Sequence, residues 1–143
     1  MYKRQVVANL KEGEEVNFLP GFIQIKLVYN SGAAFGMGAT NPKLMLGLQL
    51  FLTFIITLIW FFLKKPIYII NLSITLGGAL GNILDRFGNN RSDWGVIDYF
   101  SWELFPPYSI FNFADMLVVV SIISLVISCI IYSYKEYQED KNE

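Results

Sequence analysis

The chain has 143 residues, 54% of them hydrophobic and 16% charged, with a net charge of −1. Soluble domains carry roughly 25% charged residues, and there is no basic excess to neutralise a phosphate backbone, so a freely soluble fold and a nucleic-acid partner are both disfavoured. Histidine is absent and Cys129 is the sole cysteine, which removes histidine triads, most zinc sites and intrachain disulfides; no metal or cofactor is expected.

The chain is read as one membrane domain with the following parts. Residues 6–43 are the expected surface segment: within them Ile23, Ile25, Leu27 and Tyr29 alternate with Gln24, Lys26 and Val28, and Val16–Leu19 is a shorter candidate strand. Pro20-Gly21 between them suits a tight turn, which predicts a small β-hairpin or cradle on the membrane surface. It leads into the small residues that follow Asn30, which allow close backbone approach.

Three uncharged apolar runs follow, Leu44–Leu63, Pro66–Leu84 and Met116–Tyr134. As helices each spans about 30 Å at ~1.5 Å per residue, the thickness of a bilayer core. The expected fold is therefore a mainly α membrane protein with transmembrane helices over 44–63, 66–84 and 113–134. Cys129 lies within the third run and reads as a small packing residue. The turn Lys64-Lys65-Pro66 makes the first two helices an antiparallel hairpin with a basic tip. Basic loops favour the cytoplasm, which puts this turn and the polar, frayed tail 135–143 inside. Residues 1–43 and an outer loop, 85–112, then lie outside. That loop holds Trp94, Tyr99, Phe100, Trp102, Phe105 and Tyr108. Aromatics at this density fit a membrane–water interface and equally fit ordinary loop packing.

The polar residues cluster at one end of these helices. Gly77, Gly78 and Gly81 suit close helix packing. Asn82 and Arg86 share a helix face. Asp85 beside Arg86 in sequence pairs poorly with it, leaving Arg86 free for another carboxylate. Asp98 sits among apolar neighbours, where an ionised carboxylate needs a partner or a raised pKa. Asp115 opens the third helix, where an acid gains about 0.3–1 kcal/mol from the helix dipole. Asn112, three residues earlier, can be a plain N-cap. Two carboxylates sharing one proton can nevertheless hydrolyse an amide, one as base on water and one as acid. Spacing alone does not bring Asp98 and Asp115 together.

Four strings occur in order: Asn30-Ser31-Gly32-Ala33-Ala34-Phe35, Gly77-Gly78-Ala79-Leu80-Gly81-Asn82-Ile83-Leu84-Asp85-Arg86, Val96-Ile97-Asp98 and Phe111-Asn112-Phe113-Ala114-Asp115. They resemble the signature blocks of lipoprotein signal peptidases (signal peptidase II), aspartyl peptidases of bacterial membranes. With the helices between them they cover nearly all of the chain from residue 6. The resemblance implies an enzyme of the bacterial inner membrane, with its active site at the outer face. It would cut signal peptides from diacylglyceryl-modified prolipoproteins just before the modified cysteine, and would be inhibited by the cyclic peptide globomycin. It implies Asp98 and Asp115 as the catalytic pair. Asn82, Arg86 and Asn112 would hold substrate or orient the acids, Asn30 and Gly32 would come from the β-cradle, and Asp85 would support. The expected partners are the prolipoprotein and membrane lipid, with the chain acting as a monomer.

Two departures from the family accompany the resemblance. The family has four transmembrane helices and this chain three; the first, with its Asp-Gln-x-x-Lys-like block, is expected to be missing, and Met1–Gln5 read as a non-native start of a truncated frame. The stretch Phe87–Trp94 is longer than usual in the family, and its Asp93 reads as a solvated loop acid. Two alternatives accompany the peptidase reading: an inactive family member that binds lipidated peptides, and a small non-enzymatic polytopic protein.

Overall fold

A computed structural model describes residues 2–33, 37–104 and 109–141. Its elements run α1 (Tyr2–Asn9), β1 (Glu15–Leu19), β2 (Ile23–Asn30), α2 (Pro42–Phe62), α3 (Pro66–Gly88), β3 (Val96–Trp102), β4 (Ile110–Phe111) and α4 (Phe113–Asp140). Among the described residues, α2, α3 and α4 are each long and apolar enough to cross a membrane. Their apolar side chains are widely exposed, as at Phe51, Phe54, Leu84, Val120 and Ile130. Exposed leucine and phenylalanine along whole helix faces suits lipid as the solvent.

Local chemistry sets the helix ends. The Asn41 side chain caps α2 by accepting from Leu44 N at 3.2 Å, and Pro42 occupies the first turn. Leu63 is extended, and Pro66 opens α3. Lys65 lies 4.0 Å from the centroid of the Tyr132 ring and ties this turn to α4. α3 packs against both α2 and α4. Gly78 allows its contact with α4: a Cβ there would lie 2.6 Å from the Ala114 carbonyl oxygen and 2.7 Å from Val118 Cγ2. One turn below, the buried hydroxyls of Thr75 and Ser121 meet at 2.7 Å. Such pairs hold apolar helices together where no water competes.

The sheet has the order β1-β2-β3-β4, antiparallel throughout. Its core is Leu27, Ile97 and Tyr99, with Val6 and Leu10 packed against them. Pairing between β2 and β3 runs Ile25↔Phe100 and then Val28↔Asp98. Lys26 and Leu27 thus face Tyr99 together, a bulge in β2. β4 is two residues long and passes directly into the Asn112 cap of α4.

Four expectations differ from this architecture. Residues 2–9, expected to lack helical pattern, form α1. Its Val6 and the following Leu10 fall four apart, on one face, and meet the sheet. The segment 85–112, expected as a loop, contributes the last turn of α3 and strands β3 and β4. The apolar run at 96–100 finds its partner in β2, far away in sequence. Tyr99 is a core residue, 3% exposed, so its ring does not serve an interface belt. The tail 135–140 continues α4, because Lys, Glu and Gln are good helix formers. Phe105 and Tyr108 lie outside the described residues.

Candidate active site

The site is built where α3 ends, α4 begins and β2 and β3 pair. Asn112 is its centre and is fully buried. Its Oδ1 accepts from the backbone N–H groups of Ala114 (2.8 Å) and Asp115 (3.1 Å), capping α4. Asp115 Oδ2 accepts from Asn112 N at 2.9 Å and completes a capping box. With its oxygen committed, Asn112 turns its amide nitrogen into the site. Nδ2 donates to Asp98 Oδ1 at 2.7 Å and to Asn82 Oδ1 at 3.1 Å. Asn82 Nδ2 then donates to Asp115 Oδ1 at 2.7 Å. The two carboxylates are therefore linked through a pair of amides.

Asn30 reaches Asp98 from β2. It pairs with Val96, two residues before Asp98, so the two side chains share a face of the sheet. Asn30 Nδ2 donates to Asp98 Oδ2 at 3.0 Å and to the Ala33 carbonyl at 3.1 Å. Its Oδ1 accepts from Gly32 N at 3.0 Å and folds the following turn. Asp98 is 3% exposed. Burial, and next the Asp115 charge, push its pKa from 3.8 up to about 6, against the opposing pull of the Asn112 and Asn30 hydrogen bonds and of Lys3.

Among the described residues, Arg86 forms no ion pair with a carboxylate, contrary to expectation. Among its hydrogen bonds, Nε donates to Gln49 Oε1 (2.9 Å), Nη1 to the carbonyls of Ser31 (3.2 Å) and Trp94 (3.0 Å), and Nη2 to that of Gly32 (2.7 Å). One guanidinium thus joins α2, α3, the turn after β2 and the loop before β3. Its rigid fork suits this role better than a lysine would. Asp85 acts elsewhere. Its Oδ2 accepts from Ile97 N at 3.1 Å and so pins β3 to the end of α3.

Lys3, Gln49 and Trp94 were not expected here. Lys3 Nζ donates to Asn82 Oδ1 at 2.6 Å and to Asp85 Oδ2 at 2.7 Å. Nothing in the local sequence marks it, because it comes from a short polar helix. Gln49 had a signal: Gln49, Thr53 and Thr57 recur every fourth residue in an otherwise apolar helix. Trp94 contributes its carbonyl oxygen, which no side-chain pattern reveals. Asp93 accepts three hydrogen bonds from Arg91, which hold its pKa low, and remains half-buried in the 89–95 loop. Arg91 also reaches Glu12 and lies over the Tyr29 ring at 4.1 Å. A groove of about 650 Å³ beside the network is lined by Lys3, Gly78, Gly81, Asp85, Tyr99 and Ala114, among others. Among the described residues, no three or more His, Cys, Asp or Glu side chains are grouped to hold a metal ion.

Two acids linked by amides, one with a raised pKa, can both withdraw and supply a proton. Comparison with known proteins agrees with the resemblance in the sequence blocks. The family model described as signal peptidase (SPase) II matches residues 1–131. A lipoprotein signal peptidase of Moorella thermoacetica is 32% identical over 127 residues, covering 86% of this chain and 79% of that protein. One from Sulfurimonas denitrificans is 34% identical over 105 residues, covering 73% of this chain and 66% of that protein. A bacterial membrane enzyme solved by the in meso method superposes with a TM-score of 0.77 at 26% identity, covering 92% of this chain and 80% of that one. The chain, with its three apolar helices and small antiparallel sheet, belongs to the signal peptidase II family.

Proposed function

We propose that this chain is an aspartyl endopeptidase that removes signal peptides from diacylglyceryl-modified prolipoproteins at the outer face of the bacterial inner membrane. The observation that carries this reading is the amide bridge, in which Asn112 and Asn82 hold the buried Asp98 and the partly buried Asp115 in one network.

Burial and the charge of its neighbour both oppose ionisation of Asp98, which suits it to the role of acid. Asp115 is then the base. It takes a proton from water as the water oxygen attacks the scissile carbonyl carbon, and Asp98 gives its proton to the carbonyl oxygen. Collapse of the tetrahedral species breaks the C–N bond. The proton held by Asp115 goes to the leaving nitrogen, and Asp98 recovers one from the hydroxyl. Asn30, Asn82 and Asn112 keep the carboxylates oriented through this cycle. Arg86 and Asp85 fix the backbone around them, Arg86 through the Gly32 carbonyl and Asp85 through Ile97 N. A site where transmembrane helices end suits a substrate whose signal helix and lipid lie in hydrocarbon while the scissile bond meets water.

The test is cleavage of a diacylglyceryl-modified prolipoprotein in detergent, followed by gel shift, with Asp98→Asn and Asp115→Asn in parallel. Cleavage by the unaltered chain that both substitutions abolish is expected. Cleavage that survives either one overturns the assignment. Binding of the lipidated peptide without cleavage would favour a binding protein instead.

A further inference from the structure

We propose that Gln49 is a positioning residue for the candidate site, acting from within the membrane-spanning helix α2 through Arg86; this rests on the peptidase reading above. Gln49 lies two turns into α2 and is half-buried against α3. Both ends of its amide are used. Nε2 donates to the Ala79 carbonyl of α3 at 3.3 Å, and Oε1 accepts from Arg86 Nε at 2.9 Å. An amide in hydrocarbon is costly unless satisfied, so these two bonds select one orientation of the side chain.

That orientation has consequences for the guanidinium. With Nε held, the plane of the Arg86 fork is fixed, and its two outer nitrogens meet the carbonyls of Ser31, Gly32 and Trp94. The Ser31-Gly32 turn is the same turn that receives the Asn30 side chain, through Gly32 N to Asn30 Oδ1. Asn30 in turn donates to Asp98 Oδ2. A continuous path of hydrogen bonds therefore runs from Gln49 through Arg86 and the turn to a catalytic carboxylate. Gln49 touches neither acid.

The other polar groups on the same stripe differ in kind. Thr53 and Thr57 return their hydroxyls to the carbonyls of Gln49 and Thr53 within α2. They satisfy themselves, and within this stripe only Gln49 spends its side chain on Arg86. The prediction is accordingly specific to position 49 and not to polarity along the helix.

The experiment compares Gln49→Met, Gln49→Glu and Thr53→Val in the full chain, in detergent micelles, with two readouts. Met keeps the length of the side chain without its polar ends, and Glu keeps the acceptor for Arg86. The first readout is the Nε–H proton resonance of Arg86, assigned with Arg86→Lys, together with the side-chain amide of Asn30. Both are expected to be slowly exchanging in the unaltered chain and in Q49E, and to shift and exchange rapidly in Q49M. The second readout is prolipoprotein cleavage. Q49M is expected to lose about tenfold in kcat with KM nearly unchanged, with Q49E largely restored and T53V unaffected. Unperturbed Arg86 and Asn30 resonances in Q49M overturn the inference, as does an equal loss in Q49E and Q49M. If the unaltered chain fails to cleave, the peptidase reading falls, and the resonances still decide whether Gln49 positions Arg86 and Asn30.

Discussion

Asn112 donates to Asp98 Oδ1 at 2.7 Å with the same side chain whose oxygen accepts from Asp115 N at 3.1 Å. One residue is thus the cap of a membrane-spanning helix and the donor to a buried carboxylate. These two roles are separable by substitution. Asn112→Ser keeps a capping oxygen and removes the donor, whereas Asn112→Ala removes both. Thermal unfolding should separate them, with the alanine variant less stable than the serine variant by about 1 kcal/mol, the usual worth of a cap. Cleavage should fall in both, by about tenfold or more. Equal stability of the two variants would remove the cap from this account.

The raised pKa of Asp98 gives a pH dependence of definite sign. An acid whose folded-state value lies above its ordinary 3.8, here about 6, binds more protons folded than unfolded between those values. Stability therefore falls as pH rises through that window and levels off above it. The unfolding temperature should show this decline in the unaltered chain and lose it in Asp98→Asn. Because the Asp115 charge contributes to the shift, Asp115→Asn should lower the Asp98 titration, measured by its side-chain carbon resonance. An Asp98 titration that does not move would mean that the two acids are uncoupled.

Arg86 bonds to three backbone carbonyls and one amide oxygen, and so ties two helices to two connecting segments. Lysine keeps the charge and loses the fork. Arg86→Lys should destabilise the chain by about 1–3 kcal/mol, because buried carbonyls lose their donors. Chemical denaturation in detergent measures this, and an unchanged midpoint would contradict the clamp.

The glycine pair on α3 offers an internal control. A Cβ at Gly77 would meet no neighbouring heavy atom within 4 Å, whereas one at Gly78 would fall 2.6 Å from the Ala114 carbonyl oxygen. Gly78→Ala should separate α3 from α4 at a cost of about 1–3 kcal/mol. Gly77→Ala should be neutral or slightly stabilising, since alanine favours helix. The two unfolding curves decide it.

Much of this was legible in the sequence. The three apolar runs identify α2, α3 and α4 because a bilayer demands continuous hydrophobicity, which local composition records. The alternation of Ile23, Ile25, Leu27 and Tyr29, with Pro20-Gly21 before it, identifies β2 and its turn. What was hidden depends on distant partners. The run at 96–100 is too short to be distinguished from a loop until β2 supplies an edge. α1 is polar on most of its surface, and the two residues that anchor it make sense only once the sheet exists. Among the site residues, Asp98, Asp115, Asn82 and Asn112 stood out as polar groups in apolar surroundings. The partners of Arg86 did not, because three are backbone oxygens and the fourth sits on another helix.

The bulge in β2 sets the spacing of this strand. The strand carries Lys26 and Leu27 opposite one residue of β3, and beyond them Val28 and Asn30 fall into register with Asp98 and Val96. Side chains alternate between faces at every residue, so losing one residue between Ile25 and Asn30 would swing Asn30 to the opposite side of the sheet. Every side chain named in the site would still be encoded, yet Asp98 would lose its partner from β2. The number of residues in this strand is therefore as constrained as their identity. Point substitutions at Lys26 should be far better tolerated than its deletion.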